Sequence, residues 1–419
     1  MDQLFEISVK KFFLKRKDLF GENGKFLKFN IVKSNTAPVG DNSTVIFGQL
    51  EYEENGKKKS SDTLCVKLMP VMVNFKSCNI SCFMNEIYFY AKILPFFESV
   101  NVKTNLFAKF YDGCVEINEK GENAIMIFED LTRAGFVNSK RLIFLDYVHL
   151  ALMMRKLGEF HALSYKARHA NPNTFFSLAT CFAPAILSLF NDSLSMFNKS
   201  AKLVLQELKN DPKYSAELSL VEKICENACM YTMMSMKKFW NRSTSVISHL
   251  SYRAANVLFR YENDIPVDLK ILDLAFCQLT SPAVDIIFLL YYSANQRMRN
   301  DRWNDLIDEY YKGLSVDCSV TVIPTKDWIK GELCSLSHMC LFHSVAYLPF
   351  QIKKEEDLKN NKYKSEEMSS KCDVKLDLSE TMVDVSDKIL GVVGLSEMTD
   401  VFKGAIDRGF FRSYEQILE

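Results

Sequence analysis

The chain has 419 residues, of which 48% are hydrophobic and 25% charged, with 52 Lys+Arg balancing 52 Asp+Glu. That length suggests two or three structural units around a sizeable core. The charge balance leaves no overall field to gather nucleic acid or an anionic membrane.

The opening "MDQLFEISVKKFFLKRKDLF" mixes charged and apolar residues without an uninterrupted apolar core, so it reads as neither a secretory signal nor a transit peptide. No window approaches the ~18 consecutive apolar residues of a spanning helix. The nearest, "SPAVDIIFLLYYSA", carries Asp285. The 12 Cys include no CxxC pair and read as reduced, mostly buried thiols. The expectation is a soluble, cytoplasmic monomer that neither inserts in a membrane nor binds nucleic acid.

Strands come first. "FLKFNIVK" (Phe26 to Lys33) alternates and meets a turn at "SNTAPVGDNST". "VIFGQLEYEE" follows, and "NGKKKSSD" begins with an Asn-Gly hairpin signal. "TLCVKLMP" is a third strand. "CFMNEIYFYAKILPFF" carries Phe83, Ile87, Tyr90, Ala91 and Leu94 at helical spacing. "NLFAKFYDGCVEIN" and "NAIMIFEDL" are two further strands around "EKGEN".

After Leu131 the pattern turns helical: "FLDYVHLALMMRKLGEFHALSYKA", Ser188 to Lys209, and Ser215 to Phe239. Two short strands, "NVLFRYEN" and "VDLKILDLA", interrupt it, and mostly helical sequence follows. The charged run between Ile352 and Asp377 has the composition of a mobile, solvated segment. The fold class expected is α+β, in two lobes. Residues 1–130 would form a small antiparallel sheet with one helix, and residues 131–419 a larger helical lobe.

Several residues are candidates for phosphoryl-transfer chemistry, which needs a phosphate cradle, oxygen ligands for Mg²⁺ and a carboxylate to take the acceptor's proton. Lys67 interrupts an apolar strand, where a charge is costly unless paired or bound to an anion. Glu86, on the following helix, is its obvious partner. Taken alone, the two read more readily as an edge lysine and a solvated glutamate. "VGDNST" (Gly40, Asp41, Asn42 and Ser43 within it) could present amides to phosphate, or simply connect two strands. "IMIFEDL" ends a strand where the lobes would join, and reads equally as an ordinary strand end. Asn256 and Asp273 offer hard oxygen ligands suited to Mg²⁺, and a hairpin between them would bring them together.

Taken in order, "VGDNST", "LCVKLMP", "FMNEIYFYAKILP", "MIFEDL", "LGEFHALSY", "HLSYRAANVLFRYEN" with "VDLKILDLAFCQLTSPAVDIIFLL", and "FKGAIDRGFF" resemble insect ecdysteroid kinase-like proteins. These belong to the choline-kinase and aminoglycoside-phosphotransferase branch of the protein kinase-like fold. The resemblance implies ATP and Mg²⁺ as cofactors and a small-molecule alcohol, ecdysteroid-like or choline-like, as acceptor. It implies that Lys67 and Glu86 hold phosphates, that Phe128, Glu129 and Leu131 form an adenine hinge, and that Asn256 and Asp273 hold metal. Asp285 would brace the catalytic loop through His249.

The departure lies in that loop. The family pattern is His-Gly-Asp followed by Leu-Trp, with Asn five residues after the Asp. Here His249 and Asn256 stand in place, but Leu250 replaces the Gly, Ser251 the base Asp and Arg253 the Trp. An oriented base is worth about 10²–10⁴ in rate, so Ser251 points to impaired catalysis, and Arg253 adds a charge that could hold a phosphate. The alternative is an active kinase of an ecdysteroid or other lipophilic alcohol using a non-standard loop.

Overall fold

Alternating residues make the sheet. β1 (Lys25–Asn35), β2 (Thr44–Glu54), β3 (Lys57–Leu68), β4 (Phe110–Asn118) and β5 (Gly121–Glu129) pair antiparallel in the order β1-β2-β3-β5-β4. The computed structural model describes residues 2–16, 24–35, 43–69, 76–118, 121–238, 243–316, 323–336, 348–349, 351–352, 355 and 392–411. The β2–β3 turn places Asn55 at φ 52 and Gly56 at φ 74, the two positive angles that an Asn-Gly hairpin turn demands.

One face of this sheet packs against a helix that the sequence reading did not anticipate, α1 (Asp2–Lys15). It buries Val9, Phe12 and Phe13 against Phe26, Phe29 and Leu50. The lobe therefore holds more than the single helix expected. That expected helix crosses the other face as α2 (Lys76–Tyr88), a π turn (Phe89–Ile93) and α3 (Leu94–Ser99). Pro95 near the start of α3 lacks an N–H and cannot sit behind a regular α-turn, and the wider π turn before it absorbs the mismatch.

The helical lobe is built on α4 (Tyr147–Ala170), α8 (Pro282–Ser293) and α9 (Gln296–Leu314), joined by α5 (Pro172–Ala179), α6 (Ala185–Lys209), α7 (Leu218–Lys238) and α10 (Lys326–Leu336). The helix Val392–Asp407 packs on α6 and α9. α4 and α9 touch closely because both carry glycine at the contact. A Cβ on Gly158 would strike the α9 backbone, and one on Gly313 the α4 backbone. α8, the apolar stretch around Asp285, is buried along its whole length. Among the described residues no helix is long and apolar enough to cross a membrane.

The short strands pair locally: β6 (Phe136–Val137), β8 (Val257–Glu262) and β9 (Ile265–Ile271) in the order β6-β8-β9, and β7 (Val246–Ser248) with β10 (Gln278–Thr280). Expected strand residues Asn105 to Lys109 lie outside β4; instead Phe107 bridges Ile271, and the Ile271 amide donates to the Leu106 carbonyl at 2.7 Å. This stitch sets the β8–β9 hairpin beneath the five-stranded sheet. The charged segment 352–377 lies outside the described residues except for Ile352 and Glu355, both buried.

Candidate functional site

Lys67 stands near the end of β3, whose neighbours β2 and β5 hold it in register with Val45 and Met126. Its Nζ donates to Glu86 Oε2 at 2.6 Å and to Asp273 Oδ1 at 2.9 Å. Glu86 comes from α2. Asp273 follows β9 at φ 61, a left-handed angle that aspartate tolerates better than most residues. The solvated glutamate and edge lysine favoured by the isolated residues do not occur. Glu86 is 3% exposed, Lys67 and Asp273 are part-exposed, and the three charges form one cluster.

Their titration follows from the arrangement. Burial alone would lower the Lys67 pKa, but the Asp273 and Glu86 carboxylates together outweigh it and keep the ammonium charged. Burial pushes Glu86 up, against the pull of Lys67. For Asp273 burial also pushes upward, but Lys67, then His249 and Arg253, hold its carboxyl below the usual range.

This cluster lines a cleft of about 500 Å³ between the sheet and the hairpin. Val45 and Cys65 from the sheet lie on one side, and Leu258 and Leu272 from the hairpin on the other, giving an apolar slot. Burial raises the Cys65 thiol to about 12, so it acts as an apolar wall and not as a nucleophile. Ser43, Phe128, Glu129, Leu131 and Asn256 also line the cleft. Eight residues from distant parts of the chain thus meet at one site. Gly40, Asp41 and Asn42 lie outside the described residues.

His249, Ser251 and Asp285 do not line the cleft: His249 and Asp285 are fully buried, and Ser251 is part-exposed. Asp285, 0% exposed, accepts from the His249 amide at 2.6 Å, the Leu250 amide at 2.7 Å and His161 Nε2 at 3.1 Å. The expected brace of Asp285 on His249 is made by the main chain: Asp285 grips the loop through the His249 and Leu250 amides. The His249 ring faces elsewhere, with Nε2 2.9 Å from the Leu272 carbonyl and Nδ1 3.3 Å from the Ser251 amide. That network fits a neutral ring with the proton on Nε2. Burial lowers the His249 pKa, although Asp285 and the Leu272 carbonyl pull it up.

The residue between them is strained. Leu250 sits at φ 59 and is fully buried, a left-handed angle that a branched side chain adopts at a cost. Beyond it, Asn256 Nδ2 donates to the Ser251 carbonyl at 2.9 Å and to Ser251 Oγ at 3.1 Å. The amide nitrogen is spent on the loop, which turns the carbonyl oxygen into the end available to a cation.

Two residues of this site were missed in the sequence. His161 on α4 joins Asp285 to the Tyr310 hydroxyl, 2.9 Å from its Nδ1. A histidine flanked by Phe160 and Ala162 in a helix was the signal, and Gly158 one turn earlier was the reason α9 comes close enough to supply Tyr310.

The model of the ecdysteroid kinase-like family matches residues 40–320. No curated protein matches the chain. Among solved structures, aminoglycoside 2'-phosphotransferase-IIIa in its GDP complex shares 12% identity, over 92% of this chain and 98% of that one, with a TM-score of 0.41. A microcompartment-associated aminopropanol kinase shares 10% identity over 98% of each chain, with a TM-score of 0.41.

Proposed function

The chain belongs to the ecdysteroid kinase-like family, and from that premise we propose that its cleft binds ATP with Mg²⁺ while phosphoryl transfer to a small-molecule alcohol is impaired at Ser251. The observation that carries the reading is Lys67, bonded at once to Glu86 and Asp273 in a cleft that Asn256 also lines. Burying Glu86 and drawing Lys67 and Asp273 partly out of water is expensive unless the charges are paired or serve a ligand.

In this reading the apolar slot takes the base, with the chain at Glu129 and Leu131 along its edge. Lys67 holds phosphate oxygens and Glu86 holds Lys67. The division into lobes falls at Asp130, giving residues 1–130 and 131–419. Asp273 and the carbonyl oxygen of Asn256 are hard donors, the set a magnesium ion prefers, so the residues fit the metal. Bound there, Mg²⁺ supplies charge neutralisation for the phosphates.

Impairment rests on what stands where a base is needed. Ser251 has no carboxylate, and both ring nitrogens of His249 are engaged by Leu272 and Ser251 main-chain groups. Asp264 is no substitute, since it sits at φ 61 in the turn between β8 and β9. One observation favours slow turnover over none: Asp285 still holds the loop in shape, and positioning is itself a large part of such catalysis. The acceptor class, an ecdysteroid-like or choline-like alcohol, follows from family membership.

The test is calorimetry with Mg²⁺–ATP on the protein and on Asp273→Ala, alongside a transfer assay with an ecdysteroid and with choline. Binding that needs Asp273, without transfer, and a gain of transfer in Ser251→Asp are expected. Turnover by the unaltered chain at about 1–100 s⁻¹, the ordinary range for kinases, would refute impairment. No binding of ATP would remove the nucleotide half.

A further inference from the structure

The cleft has an open end and a closed one. Thr132, Val137 and Asn138 line it and are exposed, marking its mouth, whereas Tyr90, Ala108 and Phe128 line it and are buried. Tyr90 stands four residues after Glu86, one turn along and on the same face. That helix is fixed in place next to Glu86. Asn85 accepts from the Ala183 amide at 2.8 Å and donates to the Ala183 and Ala275 carbonyls, each at 2.9 Å. The Tyr90 ring stacks on Phe110 with centroids 5.3 Å apart and meets Phe128 edge-on at 5.0 Å. Tyr90 is 4% exposed, and the little that stays open faces the cleft.

A buried tyrosine ordinarily finds a partner for its O–H. Among the described residues the Tyr90 hydroxyl has none, and its oxygen is not sealed in. Burial, with Glu86 adding to it, holds its pKa well above the ordinary tyrosine value, so the hydroxyl keeps its proton. A polar group left unpaired at the inner end of an apolar slot carries a desolvation cost that a ligand atom can offset.

The shape of a purine nucleotide says which atom that is. The sugar leaves the base at N9, and position 6 lies across the ring system from it. With the phosphates at Lys67, position 6 becomes the part of the base set deepest in the slot. We infer that Tyr90 is a specificity-determining residue: its hydroxyl takes the polar group at position 6 of the purine, the amino group of adenine or the carbonyl of guanine. A tyrosine hydroxyl both donates and accepts, so it serves either base and leaves a base bare at that position unread. The inference rests on the nucleotide reading of the cleft and adds the class of base that the slot accepts.

The Mg²⁺ complexes of ATP, GTP and purine riboside triphosphate, which carries only hydrogen at position 6, are titrated by calorimetry into the protein and into Tyr90→Phe. The substitution keeps the ring among its aromatic neighbours and removes the hydroxyl alone. Tyr90→Phe is expected to weaken ATP and GTP each by about 3- to 10-fold, the loss of one neutral hydrogen bond, and to leave purine riboside triphosphate unchanged. Without ligand, Tyr90→Phe should unfold at the same temperature as the unaltered chain or higher, because no bond within the fold is lost. Unchanged affinity for ATP and GTP overturns the inference and leaves the nucleotide reading standing. Equal weakening of all three nucleotides overturns it too, since the hydroxyl then does not read position 6. A ligand-free Tyr90→Phe that is clearly less stable, or fails to fold, shows a hydroxyl bonded within the fold and has the same consequence. So does equal affinity of the unaltered chain for ATP and purine riboside triphosphate, a comparison that needs no variant. If none of the three nucleotides binds, the inference and the nucleotide reading fall together.

Discussion

Asp273 and Asp285 are carboxylates on the two sides of one loop, and they are satisfied in opposite ways. Asp273 faces the cleft, its side chain 30% exposed, and rests on the ammonium of Lys67. Asp285 faces the chain, shielded completely, and accepts from two main-chain amides and a histidine. A charge held by a side-chain cation can be shared with a ligand. A charge consumed by backbone amides is part of the fold. The loop's shape is thus set from behind by Asp285, independently of the side chain at position 251. That explains how the front of the loop can carry a serine and an arginine while its backbone stays in place.

The sharpest way to break this comparison is Asp285→Ala. Three buried donors lose their acceptor at once, and the expected loss is about 3–5 kcal/mol of unfolding free energy. Denaturant unfolding measures it. A loss nearer ~1 kcal/mol, the size of one ordinary hydrogen bond, would mean that the loop is not held from behind.

Lys67→Met probes the other side. Nucleotide affinity should fall about 10- to 100-fold through loss of charge-assisted bonds to phosphate, as read by calorimetry. Glu86 and Asp273 are left facing each other without their cation, so Lys67→Met should also be less stable than the unaltered chain near neutral pH. Adding Glu86→Gln should recover part of that stability, because it removes one of the two like charges. No recovery would show that the two carboxylates do not sense each other.

Much of this was legible in the sequence, and what was not has physical reasons. Strands β2 and β3 announced themselves by alternation and by Asn55-Gly56, because a period of two and a positive-φ turn leave clear residue signatures. Lys67, Glu86, Asn256 and Asp273 were readable as a set through family spacing, though Lys67 and Glu86 alone favoured the wrong, solvated reading. α1 was not readable. Among its described side chains Val9, Phe12 and Phe13 are buried, while Ile7 and Leu14 are each 50% exposed on the other side, which blurs the periodicity. The π turn at Phe89–Ile93 has Pro95 just after it as its one trace in the sequence, and a proline there reads as readily as a helix end. His161 and Tyr310 meet only because Gly158 and Gly313 let two helices close in, a tertiary fact that spacing along one helix does not carry.

A smaller effect concerns pH. Burial keeps the folded His249 imidazole below its ordinary pKa, whereas the unfolded chain takes up a proton near ~6.5. The unfolded state therefore binds more protons once pH falls below that value. The stability contributed by neutral His249 is full above it and is lost as pH falls through the folded value, by at most ~1.4 kcal/mol per pH unit. Glu86 is shifted upward and contributes with the opposite sign, so the readout is the difference between the unaltered chain and His249→Gln. Unfolding curves between about pH 5 and 7 should be flatter for His249→Gln. Parallel curves would mean that the folded ring titrates normally.

The finest test separates strain from packing at Leu250. Leu250→Ala removes a buried side chain, at about 2–5 kcal/mol, and keeps the left-handed backbone. Leu250→Gly removes the same side chain but relieves the left-handed angle, which costs a residue with a Cβ about 1–2 kcal/mol. Glycine's ordinary penalty against alanine, about 0.5–1 kcal/mol, opposes this and reduces the advantage. Leu250→Gly should therefore be the more stable of the two, by up to about 1.5 kcal/mol, in denaturant unfolding. Both should be less stable than the unaltered chain, because buried leucine outweighs strain. If Leu250→Ala proves the better variant, the angle at position 250 follows its side chain. The grip of Asp285 on the two amides would then be a consequence of the loop's shape and not its cause.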